Sequence, residues 1–160
     1  MSKAFTDEEA APLPPIVRPR APLPEGVPNY VTERGLALLR AELAGLEPAP
    51  EAKGDLAAAD AAALAQRRAE LEARIASAEV VAPPEDAATI RFGARVTVAG
   101  ASGERSWQIV GVDEADAAQG RISFASPLAR ALLGRAAGDT VRVRTPRGDE
   151  ELEIVAVSYP

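Results

Sequence analysis

Two stretches near the N-terminal end carry apolar residues at helical spacing. The first has four leucines at intervals of three and four residues: Leu36, Leu39, Leu43 and Leu46. This spacing places them on one side of a helix. We predict that the helix begins after Thr32, a residue type that commonly caps helices. It should end near Leu46, because Pro48 and Pro50 follow and proline breaks a helix.

The second helix is predicted from about Asp55 to Val80, with a matching seam. Its seam positions recur at intervals of four and three: Ala57, Ala61, Leu64, Arg68, Leu71, Ile75 and Ala78. Two helices with such seams and a short breaker between them fold back as an antiparallel hairpin. On the exposed side of the second helix, Glu70 and Arg74 are four residues apart and should form an ion pair.

After Pro83 and Pro84 the apolar period changes from helical to alternating, which is typical of strands. Five segments show it: TIRFGARVTVAG, ERSWQIVGVD, GRISFAS, DTVRVRT and EELEIVAVSY. One short helix lies among them, capped by Ser126, started by Pro127 and closed by Gly134. Its leucines should pack on the sheet with Trp107, Ile109 and Val141, and these are Leu128, Leu132 and Leu133.

These elements predict an α+β protein in three regions. Residues 1–28 hold seven prolines and few large apolar residues, so we expect a disordered, Pro-rich arm. Residues 29–82 form the antiparallel coiled-coil hairpin. Residues 83–160 form a small domain in which an antiparallel sheet packs on one short helix.

Composition narrows the possible functions. The chain has no Cys and no His, which excludes thiol nucleophiles, imidazole bases and the usual zinc sites. Its net charge of −6, with both signs interspersed, provides no basic face for nucleic acid. The first residues lack the basic start and apolar core of a signal peptide, and no apolar run is long enough to span a membrane. We therefore expect a cytoplasmic protein that reaches nucleic acid only through another protein.

The acids Glu51, Asp55 and Asp60 lie between and at the start of the predicted helices, at the hairpin tip. Paired carboxylates can bind Mg²⁺ or act as general acid and base. Asp55 and Asp60 are five residues apart, which is not a same-face spacing on a helix. The alternative is that Asp55 caps the second helix and Asp60 is solvated. The acidic groups at 113–117 and 148–153 are better explained as turn or edge-strand charges.

Two segments resemble the Gre family of bacterial transcription elongation factors. They are NYVTERGLALLRAELAGLE (29–47) and ISFASPLARALLGRAAGDTVRVRTPRGDEELEIVAVSY (122–159). The resemblance implies an N-terminal antiparallel coiled coil and a C-terminal domain of FKBP-like fold. It implies that the C-terminal domain docks on RNA polymerase beside the secondary channel, which the coiled coil enters. Such a factor is an accessory to an enzyme, has no cofactor of its own and contacts DNA and RNA only through the polymerase.

The resemblance also assigns roles to individual residues. The docking role falls on four residues of the short helix: Ser126, Pro127, Leu128 and Arg130. The family's tip acids help to hold a shared Mg²⁺ of the polymerase and stimulate cleavage of backtracked RNA. Gly54 and Asp55 match that tip, but Ala58 stands where the family has Glu, which leaves Glu51 or Asp60 as substitutes. We therefore expect a polymerase-binding factor that modulates elongation, with stimulation of cleavage in question.

Three alternatives remain at the level of sequence. One is a conventional transcript-cleavage factor. Another is a regulator of nucleoside diphosphate kinase, since a family with that name shares this C-terminal domain and has a short helical hairpin. A peptidyl-prolyl isomerase would follow from the fold alone. Isomerases of that kind need an aromatic-lined pocket, and the aromatic residues available in this domain should mostly be core: Phe92, Trp107, Phe124 and Tyr159.

Overall fold

The computed structural model describes residues 20–46 and 55–160, with side chains from residue 58 onward in the second range. A helical hairpin is followed by a five-stranded sheet and one short helix. This arrangement confirms the predicted α+β class.

The hairpin consists of α1 (Glu33–Gly45) and α2 (Asp55–Ser77). Thr32 caps α1 as predicted, because its hydroxyl accepts a hydrogen bond of 2.9 Å from the backbone N–H of Gly35. At about 1.5 Å per residue, the two helices are roughly 20 and 35 Å long. The second helix stops three residues before the predicted Val80, because the chain becomes extended there.

The apolar seam is well packed only near the base of the hairpin. Leu39 and Leu71 are fully buried, whereas Ala61 and Arg68 are exposed. Arg68 instead donates from Nη2 to the carbonyl oxygen of Leu46 at 2.9 Å. This bond satisfies one of the carbonyl groups that the end of α1 leaves without a helical partner.

A short parallel pair of strands joins the two ends of the hairpin. Strand β1 (Asn29–Val31) pairs with β2 (Ala78–Val80). The two strands have only three residues each and lie far apart in the sequence, so their pairing could not be predicted from the sequence. The side-chain amide of Asn29 donates to the carbonyl oxygen of Arg74 and to Oγ of Ser77, both at 3.1 Å. β1 is therefore fastened to the end of α2.

Arg20 and the carbonyl oxygen of Ala21, which precede β1, contact this folded base. The side chain of Arg20 is only 12% exposed and forms two ion pairs. The expectation of a Pro-rich arm that ends at residue 28 stays a prediction. Residues 1–19 of the expected arm lie outside the described residues.

The main sheet has the strand order β5-β4-β3-β7-β6. Its strands are β3 (Arg95–Gly100), β4 (Gly103–Val110), β5 (Arg121–Ser123), β6 (Thr140–Thr145) and β7 (Gly148–Ser158). All neighbouring pairs are antiparallel, as predicted, except β4 with β5, which is parallel. The parallel pair arises because two 3₁₀ turns, Val112–Glu114 and Ala117–Gln119, carry the chain back before β5 begins.

Helix α3 (Pro127–Leu132) covers the core of this domain. Oγ of Ser126 accepts from the backbone N–H of Ala129 at 3.2 Å, and Pro127 occupies the first turn, as predicted. Of the predicted core, Ile109, Leu132 and Val141 are buried. The other three predicted members are partly buried and pack against it: Trp107, Leu128 and Leu133.

Candidate functional site

The N-terminal end of α3 forms one wall of an open groove with a volume of about 840 Å³. Ser126, Pro127 and Leu128 line it. Pro127 is exposed, whereas Leu128 is half-buried and also packs on the core. Arg130 is exposed on the next part of the helix and does not line the groove. Three of the four predicted docking residues therefore share one concave surface.

The remaining walls combine apolar side chains with charged ones. Five apolar residues of the sheet line the groove: Val98, Trp107, Ile122, Val143 and Leu152. Arg105, Arg144 and Arg147 add positive charge, and Asp149 and Glu150 add negative charge. Among these charged residues, Arg144 and Asp149 form an ion pair. Their charged groups are 3.9 Å apart, and both side chains are largely exposed. Such an exposed pair holds its members weakly.

The chemistry of the groove suits a protein surface better than a small molecule. It is open and mostly apolar, and its charges lie at the exposed turn between β6 and β7 and on β4. Buried apolar contact with a charged rim is the usual composition of a protein–protein interface. A partner with apolar side chains and complementary charges would fit this surface.

The acids predicted at the hairpin tip are only partly described. Glu51 lies outside the described residues, and Asp55 is the first residue of α2, with no described side chain. Asp60 is exposed on α2. Among the described residues, no group of three or more potential metal ligands occurs.

Glu114 is a buried acid at the junction between the hairpin and the C-terminal domain. Its side chain is 3% exposed and accepts hydrogen bonds from the hydroxyl of Thr32 and from Nη1 of Arg34, the latter at 2.9 Å. A Cβ atom on Gly35 would lie 2.8 Å from Oε2 of Glu114. The first turn of α1 therefore approaches the 3₁₀ turn so closely that a side chain at position 35 would displace the carboxylate of Glu114.

Asp113, the neighbouring residue, is also an ion-pair partner at this junction. Its side chain is 7% exposed and accepts from Nη1 of Arg20 at 2.9 Å and from Nη1 of Arg74 at 3.2 Å. Asp113 and Glu114 do lie in a turn, as expected, but both are also buried partners in long-range ion pairs, which the sequence did not reveal. Arg74 was also expected to pair with Glu70, but its described ion pair is with Asp113.

Glu42, on α1, receives hydrogen bonds from both Arg20 and Arg67. Its partial burial alone would raise the pKa of the carboxyl group, but these two hydrogen bonds and the charges of the arginines outweigh burial and lower the pKa below its usual value. Burial likewise opposes the charged form of Arg20, whose pKa is nevertheless raised by Glu42 and Asp113. Both groups are therefore held in their charged forms.

Aromatic packing adds an apolar contact to the same junction. The ring of Tyr30, on β1, lies 6.0 Å from that of Phe92 and 5.7 Å from that of Phe124. Phe92 and Phe124 also pack against each other. The hydroxyl of Tyr159 donates a hydrogen bond to the carbonyl oxygen of Thr89. Of the four aromatic residues considered for an isomerase pocket, only Trp107 lines the groove.

No helix within the described residues is long and apolar enough to cross a membrane.

Comparisons with known proteins match the C-terminal domain most directly. A family model described as "Transcription elongation factor, GreA/GreB, C-term" matches residues 85–159. The transcription elongation factor GreA of Ruegeria pomeroyi is 42% identical over 92 residues, which is 56% of this chain and 59% of that protein. GreA of Azorhizobium caulinodans is 49% identical over 96 residues, 58% of this chain and 61% of that protein. The chain thus spans about six tenths of the length of these relatives.

A solved structure from Nitrosomonas europaea, titled prokaryotic transcription elongation factor GreA/GreB, is 26% identical. The match covers 81% of this chain and 98% of that one, with a TM-score of 0.43. The sequence matches to GreA and the match of residues 85–159 to the GreA/GreB domain point to the same group of proteins. Residues 85–159 therefore resemble the C-terminal domain of the GreA/GreB transcription elongation factors.

Proposed function

We propose that this protein binds core RNA polymerase through the groove beside α3 and modulates elongation as an accessory factor. The observation that carries the proposal is the position of Ser126, Pro127 and Leu128. They form a wall of an open, mostly apolar groove, and they lie within the segment that matches the GreA/GreB domain.

Each docking residue contributes in a different way. The hydroxyl of Ser126 accepts the hydrogen bond that caps α3, so Ser126 contributes by fixing the backbone at the start of that helix. Pro127 is exposed and has a restricted backbone, so it presents a rigid apolar contact at little entropic cost. Leu128 extends that contact into the groove, and the exposed Arg130 offers a cation to an acidic group on the polymerase.

The hairpin is the part that would enter the secondary channel. Its longer helix, α2, is roughly 35 Å long by the usual rise per residue. At its tip the polymerase's shared Mg²⁺ would meet Asp55, with Glu51 and Asp60 as the other acids. Ala58 is exposed on α2 where the family carries Glu. Because one carboxylate holds a cation less well than two converging ones, we propose weak stimulation of transcript cleavage.

Docking is tested by titrating labelled protein into core RNA polymerase. We expect saturable binding that Pro127→Ala and Arg130→Ala each weaken about tenfold, equivalent to about 1.4 kcal/mol. Arg95→Ala is the matched control, because Arg95 is exposed on β3 and does not line the groove. Absence of saturable binding at micromolar protein would overturn the proposal. Co-purification with nucleoside diphosphate kinase would then support the alternative regulator.

The tip is tested by cleavage of backtracked transcripts with Ala58→Glu. This change restores a carboxylate three residues after Asp55, on the same side of the helix, and should increase cleavage. Ala59→Glu adds the same acid one position further along, on a different side, and should not. If the unchanged protein stimulates cleavage strongly and Asp55→Ala retains that activity, Asp55 has no part in the mechanism.

A further inference from the structure

Five charged side chains form a continuous line of ion pairs around the base of the hairpin. We call them the base cluster, and in order of contact they are Arg67, Glu42, Arg20, Asp113 and Arg74. Arg20 precedes β1, Glu42 lies on α1, Arg67 and Arg74 lie on α2, and Asp113 lies in the first 3₁₀ turn. The cluster therefore joins four separate parts of the chain.

The line closes on itself through α2. Arg67 and Arg74 are seven residues apart, about two helical turns, so they point from the same side of α2. Arg67 contacts Glu42 and Arg74 contacts Asp113. Arg20 connects those two acids and completes the ring. Arg74 also donates to the carbonyl oxygen of Ala21, which holds the segment containing Arg20 against α2.

Arg20 bridges its two acids with the two ends of one guanidinium group. Nη1 contacts Asp113 at 2.9 Å and Nη2 contacts Glu42. Nε is buried and has no hydrogen-bond partner among the described residues, so both contacts depend on the terminal nitrogens. A lysine at this position would keep the charge, but its single ammonium group lacks the fork that reaches two carboxylates in fixed directions.

The base cluster braces the hairpin at a second point along α1. The contacts of Glu114 hold α1 at its first turn, through Thr32 and Arg34. Glu42 lies nine residues beyond the start of α1, about 13 Å further along its axis. A helix held only at one end can tilt about that end, whereas a second contact along its length fixes the angle.

We infer that Arg20 is a positioning residue that fixes the angle of the hairpin relative to the C-terminal domain. It does so by tying Glu42, on α1, to Asp113, next to the sheet. This role belongs to a segment that precedes the hairpin, outside both the groove and the tip. Arg20 needs no contact with a polymerase to perform it.

The angle is measured as a distance distribution between two spin labels in the full chain. The chain has no cysteine, so Ala65→Cys on α2 and Glu104→Cys on β4 provide two unique labelling sites, both exposed. We expect a single narrow distribution for the doubly labelled parent. Arg20→Ala should widen it about twofold. Arg142→Ala is the matched control, because it removes an exposed arginine from an exposed pair with Glu151, and it should leave the width unchanged.

Arg20→Lys keeps the positive charge but removes the planar guanidinium group, so it tests whether the geometry of that group matters. We expect the Arg20→Lys distribution to remain broader than the parent's, with less than half of the broadening seen in Arg20→Ala reversed. If Arg20→Ala does not fold, Arg20→Lys alone tests the inference. A broad distribution in the parent, or an Arg20→Ala distribution as narrow as the parent's in a folded protein, would overturn the inference. Full recovery by Lys would overturn the two-ended role of the guanidinium.

The consequence for elongation rests on the proposed function, but the distance measurement does not. Arg20→Ala should bind polymerase with unchanged affinity, since Arg20 lies outside the groove, and should lose most of its effect on elongation. If no variant binds polymerase, the proposed function fails while the distance result stands. If binding is normal and the distances are insensitive to Arg20, the positioning role fails alone.

Discussion

Replacing Glu114 should uncouple the hairpin from the C-terminal domain. The side chain is 3% exposed and links the hydroxyl of Thr32 and the guanidinium of Arg34 to the 3₁₀ turn after β4. Glu114→Ala removes both contacts and leaves a small void where the carboxylate stood. Thr32 keeps its cap on the backbone N–H of Gly35, so α1 itself should still form.

The magnitude follows from which groups the substitution leaves behind. Breaking a buried ion pair costs about 3–5 kcal/mol when the remaining charge stays buried. Here the remaining charge is Arg34, whose side chain is 55% exposed, so it returns to water at little cost. What is lost is a charge-assisted hydrogen bond from each donor, partly replaced by water, and we expect about 2–3 kcal/mol. Glu114→Gln keeps the shape and should cost about half as much.

The assay is urea unfolding followed by two probes. Far-UV circular dichroism reports mainly the helices, and fluorescence of Trp107, the single tryptophan, reports the C-terminal domain. In Glu114→Ala the helical transition should move to lower urea and separate from that of Trp107, because the shared junction is weakened. Glu153→Gln is the control, since Glu153 is exposed on β7. Coincident transitions with a change below about 0.5 kcal/mol, the usual effect of a surface substitution, would refute this reasoning.

Three further predictions concern acid stability, close packing and the core. The pKa of Glu42 is lowered in the folded state, so the ionised carboxylate stabilises the fold at pH values above the usual pKa of 4.5. That stabilisation is lost as the pH falls through the lower, folded-state pKa. Glu42→Gln should therefore flatten this part of a plot of stability against pH. Gly111→Ala should detach β1 and lower the thermal midpoint, since a Cβ would lie 2.5 Å from the carbonyl oxygen of Tyr30, whereas Gly45→Ala, with open space around it, should not. Leu132→Ala, at a fully buried position, should reduce the free energy of unfolding by about 2–5 kcal/mol in urea titrations, and a loss below about 1 kcal/mol would contradict its place in the core.

Sequence patterns predicted the elements whose signals are local. Thr32 and Ser126 each cap a helix by accepting a hydrogen bond from the backbone N–H three residues later. The capping residue type and the helical spacing of apolar residues after it are therefore enough to predict where each helix begins. The alternating strands β3, β4, β6 and β7 were predicted for the same reason. The parallel pair β1 and β2 joins segments 49 residues apart, and no pattern within either segment reveals its partner.

Long-range ion pairs explain what was missed at the junction. Asp113 and Glu114 pair with arginines at separations of 39 to 93 residues along the chain. Local spacing favoured Glu70 as the partner of Arg74, because four residues on a helix bring side chains together. In the folded protein Asp113 offers Arg74 a site that is more shielded from water, where a charge pair is stronger than on an exposed helix face. Sequence alone cannot rank these two options without the fold.

The proposed action on polymerase depends on the junction as much as on the docking groove. Docking through Pro127 and Leu128 would fix only the C-terminal domain, and the junction then determines where the hairpin tip lies. For a helix of roughly 35 Å, a tilt of about 10° at the base displaces the tip by about 6 Å. Carboxylate oxygens must come within about 2–2.5 Å of a divalent cation to bind it, so such a displacement removes a tip acid from any shared Mg²⁺. If the proposed function holds, residues such as Arg20 and Glu114 would therefore control the reaction without approaching it.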